Sequence, residues 1–110
     1  MTVFQGILDG TVPADVVYQN KHVVAFRDLH PQAPTHVLVI PRVAIAKLSD
    51  ATPEHAQVLG QLLLATQEVA RIEGLTDYRV VINSGAGAGQ SVFHLHLHVL
   101  GGRPLGWPPG

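Results

Sequence analysis

The strongest constraint on this chain is the alternation of apolar and histidine residues at positions 93–100, Phe-His-Leu-His-Leu-His-Val-Leu. Successive side chains of a β-strand point to opposite faces, so the alternation predicts a strand with His94, His96 and His98 on one face. The residues between them are then expected to face a core: Phe93, Leu95, Leu97 and Val99. Imidazole has the side-chain pKa closest to neutrality, so three imidazoles on one face of a strand indicate that function lies on this strand.

The composition predicts a single globular domain over residues 1–110. Apolar residues make up 46% of the chain and charged residues 14%, which is typical of a folded domain. A net charge of -1 with scattered basic residues argues against direct nucleic-acid binding. The chain has no cysteine, and no segment resembles a leader or a membrane span. We therefore expect a cytoplasmic protein with no membrane association.

The spacing of apolar residues predicts an α+β fold. An apolar stretch at 3–8, stopped by Gly10, predicts a short N-terminal helix. Strands are predicted at 16–18, 22–26, 36–40 and 78–83, with a hairpin turn at 19–21. One long helix is predicted from a cap at Thr52 to Gly74. With the histidine strand this gives about five strands in an antiparallel sheet, covered on one face.

The histidine row by itself allows three interpretations. The histidines could fill polar positions on a half-exposed strand, or alternate imidazoles could bind a metal ion together with His36 or a distant aspartate. In the third, one histidine is a nucleophile and its neighbours orient it and supply protons. The glycine-rich loop at 84–89 favours the third, because the amides of Gly85, Gly87 and Gly89 could approach phosphate oxygens beside the histidines.

Several residues outside the row are candidates for supporting roles. His36 opens a strand and could fix the tautomer of the nucleophile. Asp28 is either a solvated carboxylate or an acceptor for ribose hydroxyls. Four apolar residues are core by default but could line a slot for a purine: Phe4, Ile7, Phe26 and Leu29. The remaining histidines are interpreted as surface residues: His22, His30 and His55.

Three segments resemble the histidine triad family. Residues 90–100 are similar to its His-x-His-x-His signature, and residues 28–36 and 39–41 resemble its second conserved block. The tail, Gly-Gly-Arg-Pro-Leu-Gly-Trp-Pro-Pro-Gly at 101–110, resembles the ending of the Hint branch. Asn83 and this tail differ from the dinucleoside-polyphosphate hydrolase branch. The absence of an N-terminal cysteine pair gives no support to a zinc-binding variant.

The resemblance implies a homodimer that continues one sheet across ten strands, and hydrolysis of the P–N bond in purine nucleoside phosphoramidates. It implies that His96 is the nucleophile at the α-phosphorus. His98 would bind phosphate and assist proton transfer to the leaving amine, while His94 and His36 orient the pair. No metal or cofactor is implied. The alternatives are a nucleotide-binding dimer with vestigial catalysis and a dinucleoside polyphosphate hydrolase.

The resemblance also implies roles around the substrate. Ser91 and Asn83, with backbone amides near Gln90, would contact the phosphate and the leaving-group side. Asp28 would bind the ribose, and Trp107 would influence leaving-group preference. The apolar set named above would surround the base: Phe4, Ile7, Phe26 and Leu29. The implied substrates are AMP and GMP conjugates, including nucleotidyl-lysine and aminoacyl-adenylates, which suggests a functional link to aminoacyl-tRNA synthetases.

Overall fold

The computed structural model describes all 110 residues and contains one five-stranded antiparallel sheet and two α-helices. The strands lie in the order β1-β2-β3-β5-β4, numbered along the chain. The predicted α+β architecture is therefore confirmed. Neither α-helix has the combination of length and apolar character that a membrane-spanning segment requires. The elements are α1 Val3–Asp9, β1 Val16–Gln19, β2 Val23–Arg27, β3 Thr35–Pro41, α2 Ala56–Ile72, β4 Tyr78–Val81 and β5 Leu97–Gly101.

Local caps place both helices close to their predicted positions. The Thr2 side chain accepts a hydrogen bond from the first turn of α1, and Gly10, with φ 79°, ends that helix in the left-handed conformation. A single 3-10 turn at Pro53–His55 leads into α2. The ring of His55 accepts a hydrogen bond from the amide of Thr52 at 3.0 Å. His55 thus helps to start the helix, and like His22 it is partly buried, whereas His30 is exposed as predicted for all three.

The turn between β1 and β2 is built around Asn20. Its side-chain oxygen accepts hydrogen bonds from the amides of His22 at 2.8 Å and Val23 at 3.0 Å. The predicted hairpin is confirmed, but its connection lies at 20–22 rather than 19–21, because β1 includes Gln19 and β2 begins at Val23. Other strand ends also differ from prediction: β1 and β2 each extend one residue further, β3 extends one residue at both ends, and β4 ends at Val81.

The sheet is buried on both faces at its centre, which corrects the prediction of one covered face. Every residue of β3 is buried. One face packs under α2 in a larger core: Val23, Ala25, Val37, Val39, Ile45, Leu62, Ala65, Val69, Leu95, Leu97 and Val99. The opposite face holds a smaller core: Phe4, Val24, Phe26, Leu38 and Ile40. The difference arises because the short helix α1 supplies Phe4 to that second face.

Candidate active site

The histidine segment joins the sheet only near its end. His94 and His96 precede β5, and only His98 lies within that strand. Phe93 is 43% exposed, so its predicted place in the core is wrong, because the chain bends at 92–94 before it meets the sheet. The other apolar residues of the alternation lie in the core under α2, as predicted: Leu95, Leu97 and Val99.

The pairing of β3 with β5 brings His36 to the row. Leu38 lies opposite His98 in the ladder, and His36 lies two residues earlier on the same face. The ring centroid of His98 is 5.2 Å from that of His36 and 5.0 Å from that of His96. Three of the four histidines are buried, and His98 is partly buried. The fold therefore assembles the four predicted catalytic histidines into one contiguous group.

Main-chain carbonyls fix the tautomers of His94 and His96. Nε2 of His94 lies 2.8 Å from the carbonyl oxygen of Pro41, and Nδ1 of His96 lies 2.8 Å from the carbonyl oxygen of His94. A carbonyl oxygen only accepts hydrogen bonds, so these two nitrogens carry the ring protons and donate. In the neutral ring, Nε2 of His96 therefore holds a lone pair, as a nucleophile requires.

His36 and His98 form a second hydrogen-bonded chain. The amide of Gln32 donates to Nδ1 of His36 at 3.0 Å, and Nε2 of His36 lies 2.9 Å from Nδ1 of His98. Because Nδ1 of His36 accepts, the proton of the neutral ring lies on Nε2 and is donated to His98. The proton of neutral His98 then lies on its own Nε2, which leaves that nitrogen as a donor to a ligand.

Burial keeps these rings neutral near pH 7. Desolvation lowers the pKa of His36 and of His96, although the nearby carboxylate of Asp28 acts in the opposite direction. Burial also lowers the pKa of His98 to about 4, and the neighbouring rings of His96 and His36 act in the same direction. Neutral histidines are therefore the species for which the tautomers above apply.

His96 and His98 line a cavity of about 270 Å³ together with Ser91 and Asp28. The ring of Phe4 packs edge-on against His96, with centroids 5.0 Å apart, so the apolar wall adjoins the nucleophile candidate. Leu29 is 90% exposed and lies at the edge of this wall. All four residues predicted to surround a base line the same cavity: Phe4, Ile7, Phe26 and Leu29.

The carboxylate of Asp28, the candidate ribose ligand, lies between the cavity and the ring of His36. Its Oδ1 accepts a hydrogen bond from the amide of His30 at 2.8 Å, and its Oδ2 is 3.5 Å from Nε2 of His36. The side chain is 20% exposed and reaches the cavity. The carboxylate is therefore fixed by the main chain and open to a ligand.

Asp28, His36 and His98 are also the group of side chains that could hold a metal ion. Their ligand atoms all lie within 4.8 Å of one another. This set includes an aspartate and His36, as the metal interpretation of the sequence required, but only one histidine of the row. Coordination through Nε2 of His36 and Nδ1 of His98 would replace their hydrogen bond, because both nitrogens would then have to offer lone pairs to the ion.

The glycine-rich loop uses its amides internally. The amide of Gly85 donates to the side chain of Gln90 at 2.8 Å, and the amide of Gly89 donates to the carbonyl oxygen of Ala86 at 3.0 Å. No residue at 84–89 lines the cavity. The prediction that these two amides are free for phosphate is therefore wrong, because the 3-10 turn at Ala86–Ala88 and the side chain of Gln90 use them.

Gln90 holds the chain in place beside the site. It is 3% exposed, and its side-chain nitrogen donates to the carbonyl oxygens of Ala46 at 2.8 Å and Val92 at 3.0 Å. Its own amide donates to the carbonyl oxygen of Gly85 at 3.1 Å. The amide of Gln90 itself is therefore already engaged, and the phosphate contact by backbone amides near Gln90 stays a prediction.

Asn83 and Trp107 also lie outside the cavity lining. Asn83 is partly buried beside Gly89. Trp107 lies in the tail and is 82% exposed. A larger and more polar groove of about 660 Å³, between the α2–β4 connection and the tail, contains none of the predicted site residues.

Parts of the cavity wall were missed by the sequence analysis. The wall is completed by Val3, residues 12–15, Arg27, Leu38 and Val92, and His30, an exposed residue as predicted, borders it. The amide of Gln32, which fixes the His36 tautomer, was also missed. No side-chain signal could have identified a main-chain amide, and residues 12–15 reach the cavity only through tertiary packing.

Comparison with known proteins agrees with this geometry. The chain is 54% identical over 110 residues to an uncharacterized HIT-like protein of Synechococcus elongatus, covering 99% of this chain and 96% of the relative. It is 45% identical over 107 residues to the purine nucleoside phosphoramidase of Escherichia coli, covering 96% and 90% respectively. The crystal structure of a HIT family hydrolase from Legionella pneumophila matches with a TM-score of 0.97 at 45% identity, over 100% of both chains.

The extent of the family match decides the assignment. The model of the HIT domain matches residues 9–105, which includes β1 to β5, α2 and all four site histidines. Because that match spans most of the chain and the four histidines meet at one site, this chain belongs to the histidine triad (HIT) domain family.

Proposed function

We propose that this protein hydrolyses the P–N bond of purine nucleoside phosphoramidates and releases the nucleoside monophosphate. One observation carries the proposal. The carbonyl oxygen of His94 holds the proton of His96 on Nδ1, so a neutral imidazole with its lone pair on Nε2 borders the cavity beside a donor on His98. The Escherichia coli relative at 45% identity, named a purine nucleoside phosphoramidase, supports this substrate class.

The proposed reaction has two steps. Nε2 of His96 bonds to the α-phosphorus as the P–N bond breaks, and the leaving amine nitrogen keeps the electron pair and takes the proton from Nε2 of neutral His98. This leaves a cationic nucleotidyl-His96 beside an anionic His98 ring, which is stabilised by the proton that Nε2 of His36 donates to it. Water then attacks the phosphorus of the nucleotidyl-histidine and returns a proton to His98. The bond to His96 breaks, which releases the nucleoside monophosphate and restores both rings.

Substrate contacts follow the two halves of the cavity. A purine lies against the apolar wall that includes Phe4 and Phe26, where burial and stacking provide affinity. The carboxylate of Asp28 accepts hydrogen bonds from ribose hydroxyls, and Ser91 contacts the phosphate. Trp107 belongs to the leaving-group side of its own or a partner's site. AMP-lysine fits this scheme, whereas an aminoacyl-adenylate would react at the same phosphorus by cleavage of a P–O bond with a carboxylate as the leaving group. The link to synthetases and the cytoplasmic location stay predictions.

The decisive experiment measures steady-state hydrolysis of an adenosine phosphoramidate with a fluorogenic amine, in the presence of a chelator. His96→Ala should lower kcat by at least about 10³-fold, because the covalent route is lost, while AMP binding is retained. His22→Ala is the matched control, since this partly buried histidine does not line the cavity. It should keep wild-type turnover.

Each other outcome selects a different function. Retained turnover in His96→Ala would refute the assignment of His96 as the nucleophile. Wild-type protein that binds AMP without turnover would indicate a binding module, and faster cleavage of diadenosine polyphosphate would indicate the other hydrolase branch. Activity only after addition of metal would assign the Asp28–His36–His98 group to catalysis.

We further propose that two copies of the chain form a homodimer through β4 and α2. β4 pairs with β5 on one side only, so its other edge is open to a second copy. Leu63 and Leu64 are 53% and 56% exposed on α2. Next to them lies a groove of about 250 Å³ with a wholly apolar lining: Leu48, Leu59, Leu62, Leu63, Ile82, Leu95 and Leu97. Pairing of two β4 edges would give the ten-stranded sheet and cover these residues.

A further inference from the structure

We propose that Arg103, in the tail that follows β5, is a positioning residue that determines which nitrogen of His98 carries its proton. The inference rests on the function proposed above. Arg103 is exposed, and it acts through the loop at 28–34 on the Nε2 proton of His98, which faces the substrate.

The tail holds this loop at two adjacent points. Arg103 donates to the carbonyl oxygen of Gln32 from Nη2 at 2.8 Å and from Nε at 3.3 Å. The preceding residue, Gly102, has φ 91°, and a Cβ atom at that position would lie 2.8 Å from Cβ of Pro34. The guanidinium therefore makes a charge-assisted, two-donor contact where the tail already packs closely on the loop.

Gln32 connects this contact to the histidines. Its amide donates to Nδ1 of His36 at 3.0 Å. Within the loop, the amide of Asp28 donates to the carbonyl oxygen of His36, and the amide of His30 donates to Asp28. The exposed side chain of Gln32 donates to the carbonyl oxygen of His30 at 3.0 Å. Gln32 is thus held to the loop by its own exposed side chain, and its main chain is held from outside the loop by Arg103.

Loss of the hydrogen bond from the Gln32 amide would reverse the direction of the hydrogen bond between His36 and His98. With Nδ1 free, His36 can hold its proton there and present a lone pair on Nε2. Nδ1 of His98 must then donate to His36, which leaves Nε2 of His98 without a proton. The leaving amine would lose its proton donor, while the cavity lining is unchanged. The tail contact therefore acts on the chemical step more than on binding.

The test combines ¹⁵N NMR of the histidine rings with kinetics on the full-length protein. Wild type should show His98 protonated on Nε2, and Arg103→Ala should show a substantial Nδ1-protonated fraction. On the order of tenfold loss in kcat is expected, with less than about twofold change in KM, as for other residues that orient a catalytic histidine. Thermal unfolding verifies that the variant is folded.

Arg79→Ala is the matched control. Arg79 donates to the carbonyl oxygens of Leu105 and Gly106, so it anchors the same tail without touching the loop. It should leave the ring tautomers and kcat unchanged. A wild-type tautomer pattern in Arg103→Ala, or the same change in Arg79→Ala, would overturn the inference. Absence of wild-type turnover would instead refute the proposed function, and the NMR result would still decide the role of Arg103.

Discussion

Each site histidine has at least one ring nitrogen in a hydrogen bond to a neighbour, and these hydrogen bonds give chemically equivalent rings different roles. His94 and His96 both donate to carbonyl oxygens, which leaves His96 with an unprotonated Nε2. His98 accepts from His36 and keeps a proton on Nε2. Burial lowers the pKa of His96 and His98 and so favours their neutral forms, in which a proton on one nitrogen implies a lone pair on the other.

The lowered histidine pKa values predict a loss of stability in mild acid. His98 of the unfolded chain takes up a proton near pH 6.5, whereas His98 of the folded protein has a pKa of about 4 and stays neutral above it. The unfolded state therefore binds more protons in this range, and the free energy of unfolding falls as the pH falls. His98 alone should contribute about 2 kcal/mol of this loss between pH 7 and pH 5.

Urea unfolding at pH 7, 6 and 5 tests this expectation with wild type and His98→Gln. The glutamine variant has no ring to titrate at this position, so its stability should depend less on pH. Equal pH dependence in the two proteins would contradict the lowered pKa of His98.

Among the elements, the loop between β4 and β5 shows why glycine content alone is a weak predictor of anion binding. Gly85 has φ 99° and ψ 156°, a conformation that side chains rarely allow. Its amide bonds to Gln90, which in turn bonds to the carbonyl oxygens of Ala46 and Val92. Glycine is needed here to shape a turn that holds the segment before His94.

Gly85→Ala should therefore destabilise the fold by about 1–3 kcal/mol, because alanine is strained at this φ and ψ. Gly87→Ala in the same loop is the control, since it has no positive φ and a Cβ there meets no atom within 4 Å. Urea unfolding compares the two variants. A loss in Gly87→Ala as large as in Gly85→Ala would show that the backbone conformation is not the cause.

For the whole molecule, the central question is what covers the apolar surface of α2 and the open edge of β4. Exposed leucines beside a fully apolar groove indicate an interface rather than a solvated face. A second copy supplies both an apolar surface and a strand edge, which is why the dimer proposal accounts for both features together.

Sedimentation at micromolar concentration should give a dimer for wild type and a monomer for Leu63→Glu, because a buried, unpaired carboxylate opposes association. Val43→Glu is the control, since Val43 is 45% exposed but lies outside the groove. It should remain dimeric. A wild-type monomer would refute the proposal, and circular dichroism verifies that Leu63→Glu is folded.

The sequence by itself determined the elements and the chemistry of their residues. Alternation placed Leu95, Leu97 and Val99 in the core, and helical spacing with caps located α1 and α2. These features are local, since strand and helix periods and capping bonds depend on residues close in sequence. The candidate residues of the cavity, from Phe4 to His98, were identified for the same reason: residue type and family pattern are properties of the chain.

Only the tertiary structure decided how those residues work together. The second core, the exposure of Phe93, the engaged amides of Gly85 and Gly89, and the tail contact of Arg103 all depend on segments distant in sequence. Above all, the tautomers depend on which main-chain atom lies 3 Å from each ring, as with the amide of Gln32 at His36. A main-chain donor or acceptor exists at nearly every residue, so only the folded backbone selects the ones that act.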